Sequence, residues 1–288
     1  MIEDYIRPKT IDEALSLLER IPQRTRILAG GTDLLLKYGD GDPSRWTLID
    51  IVNIPELGGI ISTKEGVRIG AACPLAEIVK SPLLTRSMRV LCAGASTVGS
   101  PQIRHLATIG GNLCNASPSA DTVPALLVLD AQVFIASAGN RRTLPLVEFF
   151  TGPGRTKLQP EELLLSILIP EQPPGACAVY LKHAPRRAMD LAIAGVAVKL
   201  WMTSDHLQAR IAMGAVAPTP VRAFKAETLL AASLSIDQET FRAVSRCATS
   251  EIAPISDIRA SASYRRDMIE LLTFRALCQA NAQLQQQG

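Results

Sequence analysis

Two short stretches concentrate main chain with little side chain on it: Leu28-Ala-Gly-Gly-Thr-Asp33 and Ala107-Thr-Ile-Gly-Gly-Asn112. In each, a glycine pair stands beside small hydroxyl and amide groups. Glycine permits positive φ and close approach of another group to the backbone. Consecutive N–H groups in such a bend converge into a concavity that suits an anion. One glycine pair is an ordinary tight turn, whereas two of them, about eighty residues apart, fit a diphosphate gripped from both sides. Neither bend has the G-x-G-x-x-G spacing of a Rossmann dinucleotide site or the G-x-x-x-x-G-K-S/T of a P-loop. No nucleophile stands beside a base, and no catalytic residue is expected in this chain.

The remaining reactive side chains narrow the possibilities further. The six cysteines lie at least nineteen residues apart, so no C-x-x-C pair holds zinc or an iron–sulfur cluster, and the three histidines are scattered. No metal site is expected. A net charge of +3 without any run of more than two basic residues argues against nucleic acid as a partner. The longest apolar run, near Leu191–Leu200, is broken by Lys199 and is too short to span a membrane. The opening MIEDYIRPKT has no apolar secretory core, which gives a cytoplasmic expectation.

The elements that must position the two bends can be read from periodicity. Thr10-Ile-Asp-Glu13 is a capping box for a helix from Ile11 to Arg20, stopped by Pro22. Arg26–Ala29 is a strand emptying into the first bend. Short strands are expected at Thr47–Ile51, Gly59–Ser62 and Val67–Gly70, and helices at Leu75–Lys80 and Leu83–Ala93. Ser119 is placed to cap a helix through Val123–Leu129. A hairpin turns at Gly139-Asn140, and Glu162–Ile169 is another strand. Glu171-Gln-Pro-Pro-Gly175 reads as a linker. Beyond it, three strands (178–182, 193–202, 208–215) give way to helices. The last helix, 261–286, carries a stripe of Tyr264, Met268, Leu271, Phe274 and Cys278 expected to face the core. Strands and helices in blocks, without βαβ alternation, indicate the α+β class.

The combination of A-G-G-T-D-L with T-I-G-G-N and S-P-S-A-D resembles the flavoprotein subunit of the molybdenum hydroxylases. Y-x-R-P-x-T-x-x-E-A at the start, Glu161–Pro170, and Lys182-His-Ala-Pro-Arg-Arg-Ala-Met-Asp190 follow in family order. That family includes the xanthine, aerobic carbon monoxide, nicotinate and quinoline dehydrogenases. The resemblance implies a two-lobed FAD-binding module of the PCMH type over residues 1–173, with its two subdomains meeting near 55–60. A small C-terminal domain over 176–288, a three-stranded antiparallel sheet with helices, is implied to follow. It further implies non-covalent FAD as the only cofactor on this chain. A partner would hold 2Fe–2S clusters and another the molybdenum cofactor, as a dimer of heterotrimers, with electrons leaving FAD for an external acceptor. The alternative is a self-contained FAD oxidase or reductase built on the same module.

Carried over residue by residue, the resemblance places Leu28, Ala29, Gly30, Gly31, Thr32, Asp33 and Leu34 around the FAD diphosphate and adjoining sugar. Ala107, Thr108, Gly110, Gly111 and Asn112 would form the second wall. Asp121 would accept hydrogen bonds from cofactor hydroxyls, with Ser117 and Asn115 nearby. Lys182 would lie near the flavin ring, Leu164 would pack against it, and Val98 stands where some relatives stack an aromatic ring. Three of these have a plainer reading: Asp33 as a helix N-cap, Asp121 as a first-turn acid beside Ser119, Lys182 as a solvated strand end. His105 reads as a surface histidine.

Overall fold

The structure, a computed structural model, describes residues 2–21, 24–38, 46–186, 189–204 and 206–286. The chain begins with a small sheet. Strand β1 (Ile2–Ile6) leads into helix α1 (Ile11–Arg20), then β2 (Thr25–Leu28), helix α2 (Leu34–Tyr38) and β3 (Trp46–Asp50). The strands run parallel in the order β1-β3-β2. The expected cap forms, with Thr10 Oγ1 accepting from the Glu13 N–H, while Glu13 Oε2 returns to the Lys9 N–H, one residue before the cap. The residue expected to stop α1, Pro22, lies outside the described residues. Ala14, Leu15 and Leu18 seat the helix on Ile49 and Ile51.

This small unit departs from the expectation that no βαβ alternation exists. Parallel strands do flank α1. The pattern was hidden because β1 is almost wholly exposed and carries no apolar alternation.

A second sheet contains β4 (Ile60–Thr63), β5 (Gly66–Gly70), β6 (Gln132–Ser137), β7 (Asn140–Pro145) and β10 (Leu163–Pro170), ordered β4-β5-β10-β6-β7 and antiparallel throughout. Six helices fill the long connection from β5 to β6: α3 (Leu75–Lys80), α4 (Pro82–Ser87), α5 (Arg89–Ser96), α6 (Pro101–Leu106), α7 (Ile109–Asn115) and α8 (Thr122–Val128). The hairpin β8 (Phe150–Gly152) and β9 (Arg155–Thr156) lies between β7 and β10. Helix α8 is buried on every side and forms the centre of this core with Ile69, Leu91, Val133 and Ile167. Ser119 does not cap it. Asp121 holds the N-cap position without a side-chain cap, while Ser119 is tied to Ser117 in a local turn.

Residues 171–176 carry neither helix nor strand. The third sheet follows, with β11 (Cys177–His183), β12 (Ala194–Thr203) and β13 (His206–Gly214) antiparallel, as expected. A fourth strand of two residues, β14 (Val221–Arg222), joins the edge. It was too short to leave a periodic signal. Helices α9 (Phe224–Ala231), α10 (Gln238–Thr249) and α11 (Ala262–Gln285) cover one face, while α8 packs near β12 and β13.

The stripe expected on α11 is displaced by about one residue. Arg265, Ile269, Leu272, Ala276 and Ala280 are buried, whereas Tyr264 and Leu271 are exposed and Met268, Phe274 and Cys278 only half-buried. Two overlapping stripes fit a 3.6-residue period. The buried one contains small residues and an arginine and so carries the weaker hydrophobic signal.

Candidate functional site

The first glycine bend forms where β2 ends. The Leu28 carbonyl accepts from the Ile51 N–H at 2.9 Å, the last bond of that parallel pair, and the chain then leaves the sheet. Gly31 adopts φ +70°, a conformation costly for any residue with a Cβ, and its carbonyl starts α2 by accepting from Leu35. The N–H groups of Gly30, Gly31, Thr32 and Asp33 have no acceptor among the described residues. Backbone donors rarely stay unpaired unless water or a ligand takes them. The Asp33 carboxylate is held outside the bend, accepting from Asn115 Nδ2 at 3.0 Å and from the Thr32 hydroxyl at 3.3 Å.

The second bend differs from the expectation. It is the first turn of α7, and its donors are used. The N–H of Ile109 reaches the Cys73 carbonyl, Gly110 the Ala71 carbonyl, Gly111 the Thr108 hydroxyl, and Asn112 the Thr108 carbonyl. Its glycines therefore serve close packing. A Cβ on Gly110 would fall 2.6 Å from the Ala71 carbonyl oxygen, which presses α7 onto the end of β5. A Cβ on Gly111 would crowd the capping hydroxyl of Thr108 at 2.9 Å.

The two bends touch. A Cβ on Gly30 would lie 2.0 Å from the Leu106 carbonyl oxygen and 2.9 Å from the Ala107 α-carbon. Together they border a cavity of about 670 Å³, within the size range of cofactor sites. Ala29, Gly30, Gly31, Thr32, Asp33, Leu34, Val98, Ala107, Thr108, Gly110, Gly111, Asn112, Ser117, Asp121 and Leu164 line it. Leu28 and Lys182 do not. Leu28 packs beneath the bend, its Cδ1 3.1 Å from where a Gly31 Cβ would stand. His105 is exposed and borders a separate surface hollow.

The cavity also recruits residues that the sequence did not single out. Arg26 comes from β2, Gly99 from a turn at φ +51°, Cys114 from α7, and Leu163 from β10. Asp190 and Leu191 come from the β11–β12 loop. That loop ends the Lys182–Asp190 motif, the one signal that pointed to it; its residues 187–188 lie outside the described set.

Asp121 is the buried charge of the site. Its Oδ1 accepts from the Tyr180 hydroxyl and its Oδ2 from Lys182 Nζ, both at 2.7 Å. Burial pushes the carboxyl up from the ordinary carboxylate range, and the Lys182 cation with the Tyr180 hydrogen bond pulls it back. Burial pushes the Tyr180 phenol well above its usual value, and the Asp121 charge and hydrogen bond raise it further.

Comparison with known proteins matches both halves of the chain. Residues 1–172 match the family described as the FAD binding domain in molybdopterin dehydrogenase, and residues 179–280 the carbon monoxide dehydrogenase flavoprotein C-terminal domain. A putative xanthine dehydrogenase FAD-binding subunit of Escherichia coli K12 is 35% identical over 281 residues, covering 96% of each chain. The carbon monoxide dehydrogenase medium chain of Hydrogenophaga pseudoflava is 32% identical over 279 residues, with 95% of each covered. Among solved structures, carbon monoxide dehydrogenase from Hydrogenophaga pseudoflava superposes with a TM-score of 0.93 at 31% identity over 97% of each chain. Quinoline 2-oxidoreductase from Pseudomonas putida 86 superposes at 0.89 and 27%, covering 96% of each.

Proposed function

This chain belongs to the family of FAD-binding subunits of the molybdenum hydroxylases, and from that premise we propose that its cavity holds one non-covalent FAD with the diphosphate at the first glycine bend. The observation that carries this placement is the row of four N–H groups, Gly30 to Asp33, without acceptors among the described residues. Two further features fit the group. The cavity has the volume for an extended cofactor, and the glycines at positions 30 and 110 let the backbone segments that form its walls pack closely together.

The residues divide the work. The N–H groups of Gly30, Gly31, Thr32 and Asp33 hold the diphosphate charge. Thr108, Gly110, Gly111 and Asn112 form the facing wall by shape, their main-chain donors being occupied. Asp121 accepts from cofactor hydroxyls with the lone pairs that Tyr180 and Lys182 leave open, since an ionised carboxylate offers about four acceptor sites. Val98, Leu164 and Leu191 supply apolar cover for the flavin ring and exclude water from it. Leu28 and Lys182 act from behind the wall, outside direct contact.

The chain is the electron-transfer flavoprotein of a heteromeric oxidoreductase. FAD, when bound, supplies the redox chemistry, gathering electrons from an iron–sulfur partner and releasing them to an acceptor; the protein supplies binding, orientation and electrostatics. Substrate oxidation belongs to a molybdenum partner. Assembly as a dimer of heterotrimers with an external acceptor completes the reading. The test is to purify the chain, add FAD, remove the excess and record the visible spectrum. Bound flavin near one per chain is expected; a chain that retains none overturns the proposal.

A further inference from the structure

Strand β11 belongs to the C-terminal sheet, yet two of its side chains end on a carboxylate of the other half of the molecule. Tyr180 and Lys182 are two residues apart and so project from one face of the strand. Their hydroxyl and ammonium groups take one oxygen each of Asp121, at 2.7 Å. The ammonium also donates to the carbonyls of Thr97, at 3.2 Å, and Asp190, at 2.9 Å. Its three protons are thereby committed within the protein. Space for the phenol is cleared by Gly195, where a Cβ would stand 2.8 Å from the hydroxyl oxygen. Thr97 precedes the cavity-lining turn at Val98 and Gly99, and Asp190 itself lines the cavity. One lysine therefore joins three segments around the site, drawn from both halves of the chain.

Building on the FAD reading of the cavity, we propose that Tyr180 and Lys182 are positioning residues that hold Asp121 aimed at the cofactor and couple FAD retention to docking of the C-terminal sheet. Without β11 the buried Asp121 carboxylate would lose the Tyr180 and Lys182 donors and keep only the Thr97 hydroxyl, a costly state that the wall would relieve by opening. Linkage makes the coupling reciprocal: bound FAD tightens the sheet as much as the docked sheet tightens FAD.

The experiment measures FAD dissociation constants of the full chain by quenching of flavin fluorescence, with thermal unfolding of each apo variant as a folding control. Tyr180→Phe keeps the shape and removes one hydrogen bond to a charged group, so affinity is expected to fall about tenfold. Lys182→Met is expected to lower it by about a hundredfold, and Lys182→Arg to recover most of that loss. On an Asp121→Ala background, which removes the acceptor, Tyr180→Phe is expected to change affinity by less than about twofold, because the two groups act as one unit. Hydrogen exchange of β11–β13 should slow on FAD addition in the wild type and not in Lys182→Met. Affinities of Tyr180→Phe and Lys182→Met within about twofold of wild type overturn the inference, as does a Tyr180→Phe loss undiminished on Asp121→Ala. A wild-type chain that binds no FAD overturns the FAD reading itself, a separate and recognisable result.

Discussion

The main chain of Gly30 rests against the carbonyl of Leu106, so close that a Cβ at position 30 would fall 2.0 Å from the oxygen. This contact joins the first bend to the segment entering α7, so that Gly30 and Ala107 line the cavity side by side. Gly30→Ala must push the two apart. FAD affinity is expected to fall by at least about tenfold, since overpacking against unyielding backbone costs about 1–3 kcal/mol. Gly152→Ala, where nothing lies within 4 Å and φ is not positive, is the control and should bind as wild type. Fluorescence titration of both variants checks the contrast.

Gly110→Ala tests the second bend, where α7 is pressed onto Ala71. The prediction is a loss of stability of about 2 kcal/mol, with a lower thermal midpoint even in the absence of FAD. The bend's donors are already paired within the protein, so its contribution is structural before it is ligand-directed. A variant with unchanged midpoint and impaired FAD binding alone would contradict this assignment.

Lys199 gives a pH prediction. It is almost fully buried beside Asp130 and Gln172, and burial lowers its ammonium to about 8 from an ordinary 10.5. A base whose folded value is depressed costs stability while charged, fully below pH 8, and that cost fades as pH rises from about 8 towards 10.5. Lys199→Met removes the cost and leaves Asp130 paired with Arg210 and Arg222. Its thermal midpoint should match or exceed wild type at pH 7, and its advantage should shrink above pH 8. Unfolding scans across that range check the sign.

The first bend and its place at a strand end were legible because a second glycine pair beside short polar side chains recurs about eighty residues on, which a single ordinary turn would not give. The second bend was misread in its physics. Whether the N–H groups of Ile109 and Gly110 are free depends on the carbonyls of Cys73 and Ala71, more than thirty residues away, and no local pattern reports that. The stripe on α11 was missed by about one residue because its buried face mixes Ile269, Leu272 and Leu277 with Arg265, Thr273 and two alanines, while Tyr264, Met268, Leu271 and Phe274 lie at its margin. Strand β11 was legible as a strand; that Tyr180 and Lys182 reach Asp121 follows from the packing of two halves that the sequence presents separately.

The most direct measurement is a crystal structure of the chain with FAD. Diphosphate oxygens are predicted within hydrogen-bond distance of the N–H groups of Gly30 to Asp33, about 2.7–3.2 Å, with a cofactor hydroxyl on Asp121. A diphosphate seated away from that bend, with those four donors turned to solvent, would contradict the account.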